Sequence, residues 1–151
     1  MNKIFYYNSP IGILKITINN DEIISLCTSN KFIKSKLSIF EQKILKQLDE
    51  YFLGKRTHFD IKINPSGTPF QKLVWKELTH IEYGQTKSYS EIARRINKPN
   101  SQRAVGNACN KNPILIMIPC HRVTKKNFEI GGFVIGTKAK ETLLSLETKQ
   151  F

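Results

Sequence analysis

The run Ile116-Met117-Ile118-Pro119-Cys120-His121-Arg122-Val123 places a thiol, an imidazole and a guanidinium side by side at the end of an apolar, strand-like segment. A free cysteine titrates near ~8.5, and a neighbouring base or cation raises its thiolate fraction. Cys120 is therefore a candidate nucleophile and His121 its natural base. For the dipeptide alone, the competing reading is a small core cysteine beside a surface histidine. The other two cysteines, Cys27 and Cys109, make the count odd and show no CxxC spacing, so reduced thiols are expected and a disulfide framework is not. Cys109 reads as a small helix residue and Cys27 as a strand residue.

The rest of the composition restricts where such a thiol acts. A chain of 151 residues, 40% hydrophobic and 24% charged, is the size of one domain or of one domain with a small appendage, and belongs to neither the disordered nor the collagen-like class. Lys plus Arg number 24 against 12 Asp plus Glu, a net charge of +12, which favours a polyanionic partner: nucleic acid first, an acidic membrane surface second. Lysine supplies 19 of the 24, and an AT-rich genome would account for part of that. The charge is uneven, however, with +3 on residues 1–60 and +9 on residues 61–151, and four of five arginines (Arg94, Arg95, Arg103, Arg122) lie in the second half. The longest apolar stretch, Ile114 to Pro119, is far short of the ~20 residues of a membrane span. Residues Met1 to Ile18 lack the build of a signal peptide, so a protein of the cytosol or nucleus is expected.

The elements that must position Cys120 follow from local patterning. Phe5 to Thr17 reads as two strands around a Pro10-Ile11-Gly12 turn, with Ile11, Ile13 and Ile16 as apolar positions, and Glu22 to Thr28 as a third. Ser38 to Leu53 carries one apolar helical face that Gly54 ends, and His58 to Ile63 reads as a further strand. Thr68-Pro69-Phe70-Gln71 has capping-box spacing and starts a helix with Phe70, Leu73, Val74 and Leu78 inward. Ser88-Tyr89-Ser90-Glu91 is a second capping box, leading a short helix packed through Ile92, Ala93 and Ile96. After the break at Lys98-Pro99-Asn100, a helix from Ser101 to Asn110 packs through Ala104, Val105 and Ala108. Two short helices joined by a tight break are the signature of a helix-turn-helix. Thr137 to Glu147 forms the last helix, packed through Leu143, Leu144 and Leu146.

In these surroundings the Cys120 run resembles the Pro-Cys-His-Arg-Val motif of the O6-alkylguanine-DNA alkyltransferases, the methylated-DNA–protein-cysteine methyltransferases. The likeness extends over the second half: Thr68-Pro69-Phe70-Gln71 with Val74-Trp75, Ser88-Tyr89, Arg103-Ala104-Val105-Gly106, Asn112-Pro113, Gly131-Gly132 and Glu147. The first half matches in general build only. The resemblance implies an α/β fold in two parts. Residues 1–64 form a small sheet with a helix, ribonuclease H-like. Residues 65–151 form a mainly helical, winged-helix-like domain that binds DNA and carries the acceptor.

The resemblance also implies the roles. Cys120 takes the alkyl group of O6-alkylguanine irreversibly, once per molecule. His121 draws the thiol proton through a water, and Glu147 orients that imidazole. Asn112 braces the turn before the active-site loop, a role compatible with a helix C-cap. Tyr89 lies near the flipped nucleotide and hydrogen-bonds the leaving guanine at N3. Arg103 fills the gap left in the base stack, Ala104 and Gly106 allow close approach in the minor groove, and Arg122 joins the DNA-contacting set. Pro119, Phe133, Val134 and Ile135 line the substrate pocket. Phe133 stands where bacterial relatives usually have Tyr, and Ile135 where Trp or Gly is common. The implied partner is double-stranded DNA containing O6-alkylguanine, with no membrane partner, acted on by a cytoplasmic, nucleoid-associated monomer (nuclear in a eukaryote) without a cofactor. No metal is predicted, because Cys27 and His58 are too few ligands for the zinc site of some relatives. The rival readings are a lesion-binding sensor without transfer, a helix-turn-helix transcriptional regulator and a cysteine hydrolase. A sensor of that kind lacks the acceptor cysteine, a regulator has no use for Cys120, His121 and Glu147, and no peptide-site motif supports the hydrolase.

Overall fold

Strand alternation near the N-terminus produces an antiparallel meander of β1 (Lys3–Ser9), β2 (Gly12–Asn19) and β3 (Glu22–Ser29). The structure, a computed structural model, describes residues 1–125, 131–133 and 135–148. Asn20 and Asp21 both take positive φ, 51° and 60°, in the β2–β3 turn, a conformation that Asn and Asp tolerate and that matches strand twist. Along β2 the buried positions are Leu14, Ile16 and Ile18, whereas Ile11 and Ile13 are only partly buried. The inward phase is therefore set by Leu14 and Ile18 with Ile16. A period of two leaves no room for Ile13 on that face.

Helix α1 (Ile39–Phe52) covers this sheet with Ile44, Leu48 and Tyr51. Ser38 caps its start and Gly54, at φ 75°, follows its end. The strand expected at His58 to Ile63 is not formed. This segment meets β3 at a single bridge, Ile23 to Ile63. The Asp60 amide is answered by the Gln47 side chain of α1 at 3.0 Å, which diverts it from a ladder.

The second half is mainly helical: α2 (Pro69–Leu78), α3 (Tyr89–Arg95), α4 (Gln102–Asn110) and α5 (Thr137–Thr148). Both capping boxes form, at Thr68/Gln71 and Ser88/Glu91. On α2 the buried residues are Val74, Trp75 and Leu78, and Leu73 is left exposed. Trp75 wins the inward position because its indole N–H finds the Ala108 carbonyl of α4 at 2.8 Å while its ring fills the gap between the helices. On α4, Val105, Ala108 and Cys109 are buried, but Ala104 faces outward. On α5 Leu143 is buried and Leu144 and Leu146 only partly so, because the inner face also carries Lys140 and Glu147. A short parallel pair, β4 (Lys87–Ser88) with β5 (Val123–Thr124), ties the start of α3 to the chain just after Cys120.

The two halves share the outer edge of β3. Leu26 donates to Pro113 O and accepts from Leu115 N, each at 2.9 Å, so the chain leaving α4 is pinned to the sheet. Residues 114–119, expected to be strand-like, instead form consecutive tight turns: Met117 N donates to Leu115 O and Ile118 N to Ile114 O. Ile116 takes φ 71°, a strained conformation for a β-branched residue, held by burial on all sides.

Candidate active site

Cys120 opens a single 3-10 turn, Cys120–Arg122, whose geometry sends three adjacent side chains in different directions. The thiol is only 2% exposed. Asn112, at the exit of α4, is its closest support. Nδ2 donates to Cys120 Sγ at 3.0 Å and to Ile118 O at 2.7 Å, while Oδ1 accepts from Ile114 N at 2.9 Å. One amide thus folds the turn and reaches the sulfur. Burial pushes the Cys120 thiol up to about 11, against the lowering effects of the Asn112 hydrogen bond and of Lys140. At rest, then, Cys120 is a thiol.

His121 is fully buried, and its Nε2 lies 2.7 Å from Glu147 Oε2. Burial lowers its affinity for a proton, with Arg122 and Lys140 acting in the same direction and Glu147 opposing them. A neutral imidazole facing a carboxylate keeps its hydrogen on Nε2, leaving Nδ1 as an acceptor. Nδ1 is buried and has no hydrogen-bond partner among the described residues. Glu147 resists the rise that burial imposes, because hydrogen bonds from His121 and Arg122 hold its carboxyl down at about 2. The resting state is neutral thiol, neutral imidazole and ionised carboxylate.

Arg122 departs from its expected place among the DNA-contacting residues. It is 8% exposed, with Nε on Glu147 Oε1 at 2.8 Å, Nη2 on Oε2 at 3.0 Å and Nη1 on the Ile81 carbonyl at 2.7 Å. The carboxylate buried on α5 needs a counter-charge, and the planar guanidinium supplies it in a bidentate fork. Each of its three nitrogens is thus engaged inside the protein, and the side chain is buried away from a DNA-facing surface.

Two residues not anticipated from sequence complete the cluster. Tyr51, from α1, donates its hydroxyl to Glu147 Oε2 at 2.6 Å. Lys140 is buried on α5, two turns before Glu147 and on the same helical face, and its Nζ donates to the Val123 and Gly132 carbonyls. Burial lowers its pKa. The spacing of Lys140, Leu143 and Glu147 was the available signal for the lysine. Tyr51 has no such signal, since it sits on the apolar stripe of a helix in the other half of the chain.

Tyr89, the first residue of α3, is partly buried with its ring 5.8 Å from Lys140 Nζ, and burial pushes its hydroxyl up to about 12. Gly131, at φ 74°, lies against it, and a Cβ there would be 3.2 Å from the Tyr89 hydroxyl. Phe133 meets the His121 ring edge-on at 6.5 Å. Pro119 is buried and Ile135 partly so, whereas Val134 lies outside the described residues. A shallow depression of about 480 Å³ on the outer side of Tyr89 is lined by Arg103, Gly106 and Lys125 among others. Arg103 and Ala104 are exposed on α4 beside it.

Fold and site define a protein that buries a cysteine on one turn with a histidine–glutamate pair, beside two short helices joined by a tight break. Residues 69–149 match the DNA binding domain of 6-O-methylguanine DNA methyltransferase, and residues 3–65 match its ribonuclease-like domain. A methylated-DNA–protein-cysteine methyltransferase of Methanosarcina barkeri is 43% identical over 156 residues, covering 94% of this chain and 96% of its own. The Haemophilus influenzae protein of that name is 40% identical over 151 residues, covering 94% and 84%. The crystal structure of the Mycobacterium tuberculosis O6-methylguanine methyltransferase superposes with a TM-score of 0.90 at 35% identity, covering 100% of this chain and 95% of that one. The structure of that organism's protein in complex with DNA gives 0.89 at 36% identity, covering 97% and 93%. The chain belongs to the methylated-DNA–protein-cysteine methyltransferase family.

Proposed function

We propose that this protein repairs O6-alkylguanine in double-stranded DNA directly, by moving the alkyl group to Cys120 Sγ. The observation that carries the reading is a buried Cys120, held by Asn112, on the same 3-10 turn as His121, whose imidazole meets the Glu147 carboxylate. The thiol proton passes, through a water, to His121 Nδ1, a buried acceptor without a partner among the described residues. Glu147 stabilises the imidazolium that forms, the nucleophile–base–orienter logic of hydrolase triads. The thiolate attacks the alkyl carbon in line with the bond to O6, an S–C bond forms as the C–O6 bond breaks, and the electron pair leaves on guanine. Tyr89 donates to guanine N3 as that charge develops, and the proton taken from sulfur ends on the base. A thioether does not hydrolyse, so each molecule acts once.

The alkyl carbon cannot be reached inside a duplex, and flipping the nucleotide costs a few kcal/mol. Arg103, exposed on α4, is suited to fill the vacated stack, and Ala104 and Gly106 to let the helix approach the backbone. Pro119, Phe133, Val134 and Ile135 are proposed as the pocket wall. The uneven charge supports sequence-independent phosphate attraction by the second half. We also propose residues 1–64 as a scaffold unit and 65–151 as the DNA-binding and acceptor unit, supported by the separate family matches to 3–65 and 69–149. Among the described residues no helix is long and apolar enough to cross a membrane. A cytoplasmic, DNA-associated monomer fits this chemistry.

The test is incubation with a duplex oligonucleotide containing O6-methylguanine, followed by the mass of the intact protein. One added methyl group, absent in Cys120→Ala, is expected. Tight lesion binding without a mass change would show a sensor instead, and preference for an undamaged sequence a regulator.

A further inference from the structure

Glu147 Oε2 accepts from three donors at once: His121 Nε2 at 2.7 Å, Arg122 Nη2 at 3.0 Å and the Tyr51 hydroxyl at 2.6 Å. Tyr51 is the only one of the three that comes from the N-terminal half, 96 residues from its acceptor. It is fully buried, with its ring edge-on to Phe52 and to Tyr83 and tilted against Phe59. That aromatic nest fixes the hydroxyl where a phenylalanine would leave Oε2 with two donors. A carboxylate sharing its charge with a phenol and a guanidinium has less to offer an imidazolium.

We propose that Tyr51 is a positioning residue for alkyl transfer: its hydroxyl, delivered by the N-terminal unit, holds Glu147 Oε2 in place and limits how strongly that carboxylate favours the charged form of His121. The proposal rests on the repair reading for its consequence, though its geometry does not. It gives the N-terminal half, which supplies none of the residues at the reacting sulfur, a part in the proton relay. Among the described residues, the charged and titratable groups facing Glu147 and His121 are Tyr51 from α1, Tyr83 from the segment after α2, Arg122 from the 3-10 turn and Lys140 from α5. Arg122 and Lys140 both act against an imidazolium. Tyr51 is the neutral member whose donation can be removed with little change of shape.

In the full chain, Tyr51→Phe keeps the ring and removes the donor. Glu147 then concentrates its charge on His121 and Arg122, and the imidazolium is stabilised. The His121 titration, followed by 15N NMR with His58 and His80 as exposed internal references, is expected to move up by roughly 0.5–1 pH unit. The acid limb of single-turnover methyl transfer moves with it, so the rate falls on the acid side and is kept on the alkaline plateau. A 3-fluorotyrosine placed at position 51 is a stronger donor and moves both in the opposite direction, which tests the idea even if Tyr51→Phe folds poorly. In Glu147→Gln, the further Tyr51→Phe change leaves the His121 titration where it is. A His121 titration unmoved in folded Tyr51→Phe overturns the proposal, as does a rate lowered by the same factor at every pH. If the wild-type protein accepts no methyl group at all, the repair reading fails while the imidazole titration still reports on Tyr51.

Discussion

Asn112 and Cys120 are joined by a 3.0 Å contact from amide nitrogen to sulfur, made by the same NH2 group that closes the preceding turn on Ile118 O. The Cys120 sulfur and the fold of its turn therefore share one side chain. Loop geometry and thiolate support cannot be varied separately at this position.

Asn112→Ala removes all three hydrogen bonds and leaves the buried Ile114 amide unpaired, while the Ile118 carbonyl keeps only the Cys120 N–H. Stability should fall by roughly 2 kcal/mol and the transfer rate by about 10–100-fold. Urea unfolding followed by the fluorescence of Trp75, the one tryptophan of the chain, checks the first. Rapid-quench single-turnover kinetics checks the second.

Acid should unfold the protein through Glu147. Its carboxyl ordinarily titrates at 4.5 and is held at about 2 in the fold, so the stability this group contributes is fully present above 4.5 and is lost as pH falls toward 2. The amount at stake is on the order of 3 kcal/mol. His121, kept neutral by burial, adds to the loss as pH drops below its ordinary 6.5. Denaturant titrations between pH 7 and 2 should show this slope, and Glu147→Gln should flatten the part below 4.5.

The two arginines Arg103 and Arg122 should separate binding from stability. Arg122→Ala strands a buried carboxylate and is expected to cost about 3–5 kcal/mol of stability. Arg103→Ala, on an exposed helix face, should leave stability within about 0.5 kcal/mol. It should weaken binding to O6-methylguanine duplex about tenfold, ~1.4 kcal/mol. Thermal unfolding and fluorescence anisotropy, run on both variants, give the two readouts; equal losses of stability would contradict the assignment.

Local signals proved legible where one short segment determines its own geometry. The capping boxes at Thr68 and Ser88, the glycine after α1 and the break between α3 and α4 depend on backbone groups within a few residues of each other. They failed where a distant partner decides. The His58 to Ile63 segment has strand-like residues, but Gln47 takes the Asp60 amide. Residues 114–119 look like a buried strand, yet the pinning of Leu26 to Pro113 and Leu115 and the Asn112 amide fold them into turns. Leu73 and Trp75 both suit an inward position, and the Ala108 carbonyl selects the tryptophan.

By itself, the sequence determined the family, the candidate nucleophile and the basic character of the half that carries it, because those depend on residue types in order along the chain. Only the tertiary structure decided what surrounds Cys120 and His121. Arg122 is next to His121 in sequence and could face solvent or core; the carboxylate that α5 buries turns it inward. Tyr51 reads as one more apolar contact of a helix until that helix is packed against the other half, where its hydroxyl meets Glu147. A buried charge must find its partners wherever the fold places them, and residues 96 positions apart carry no shared local signal that they will meet.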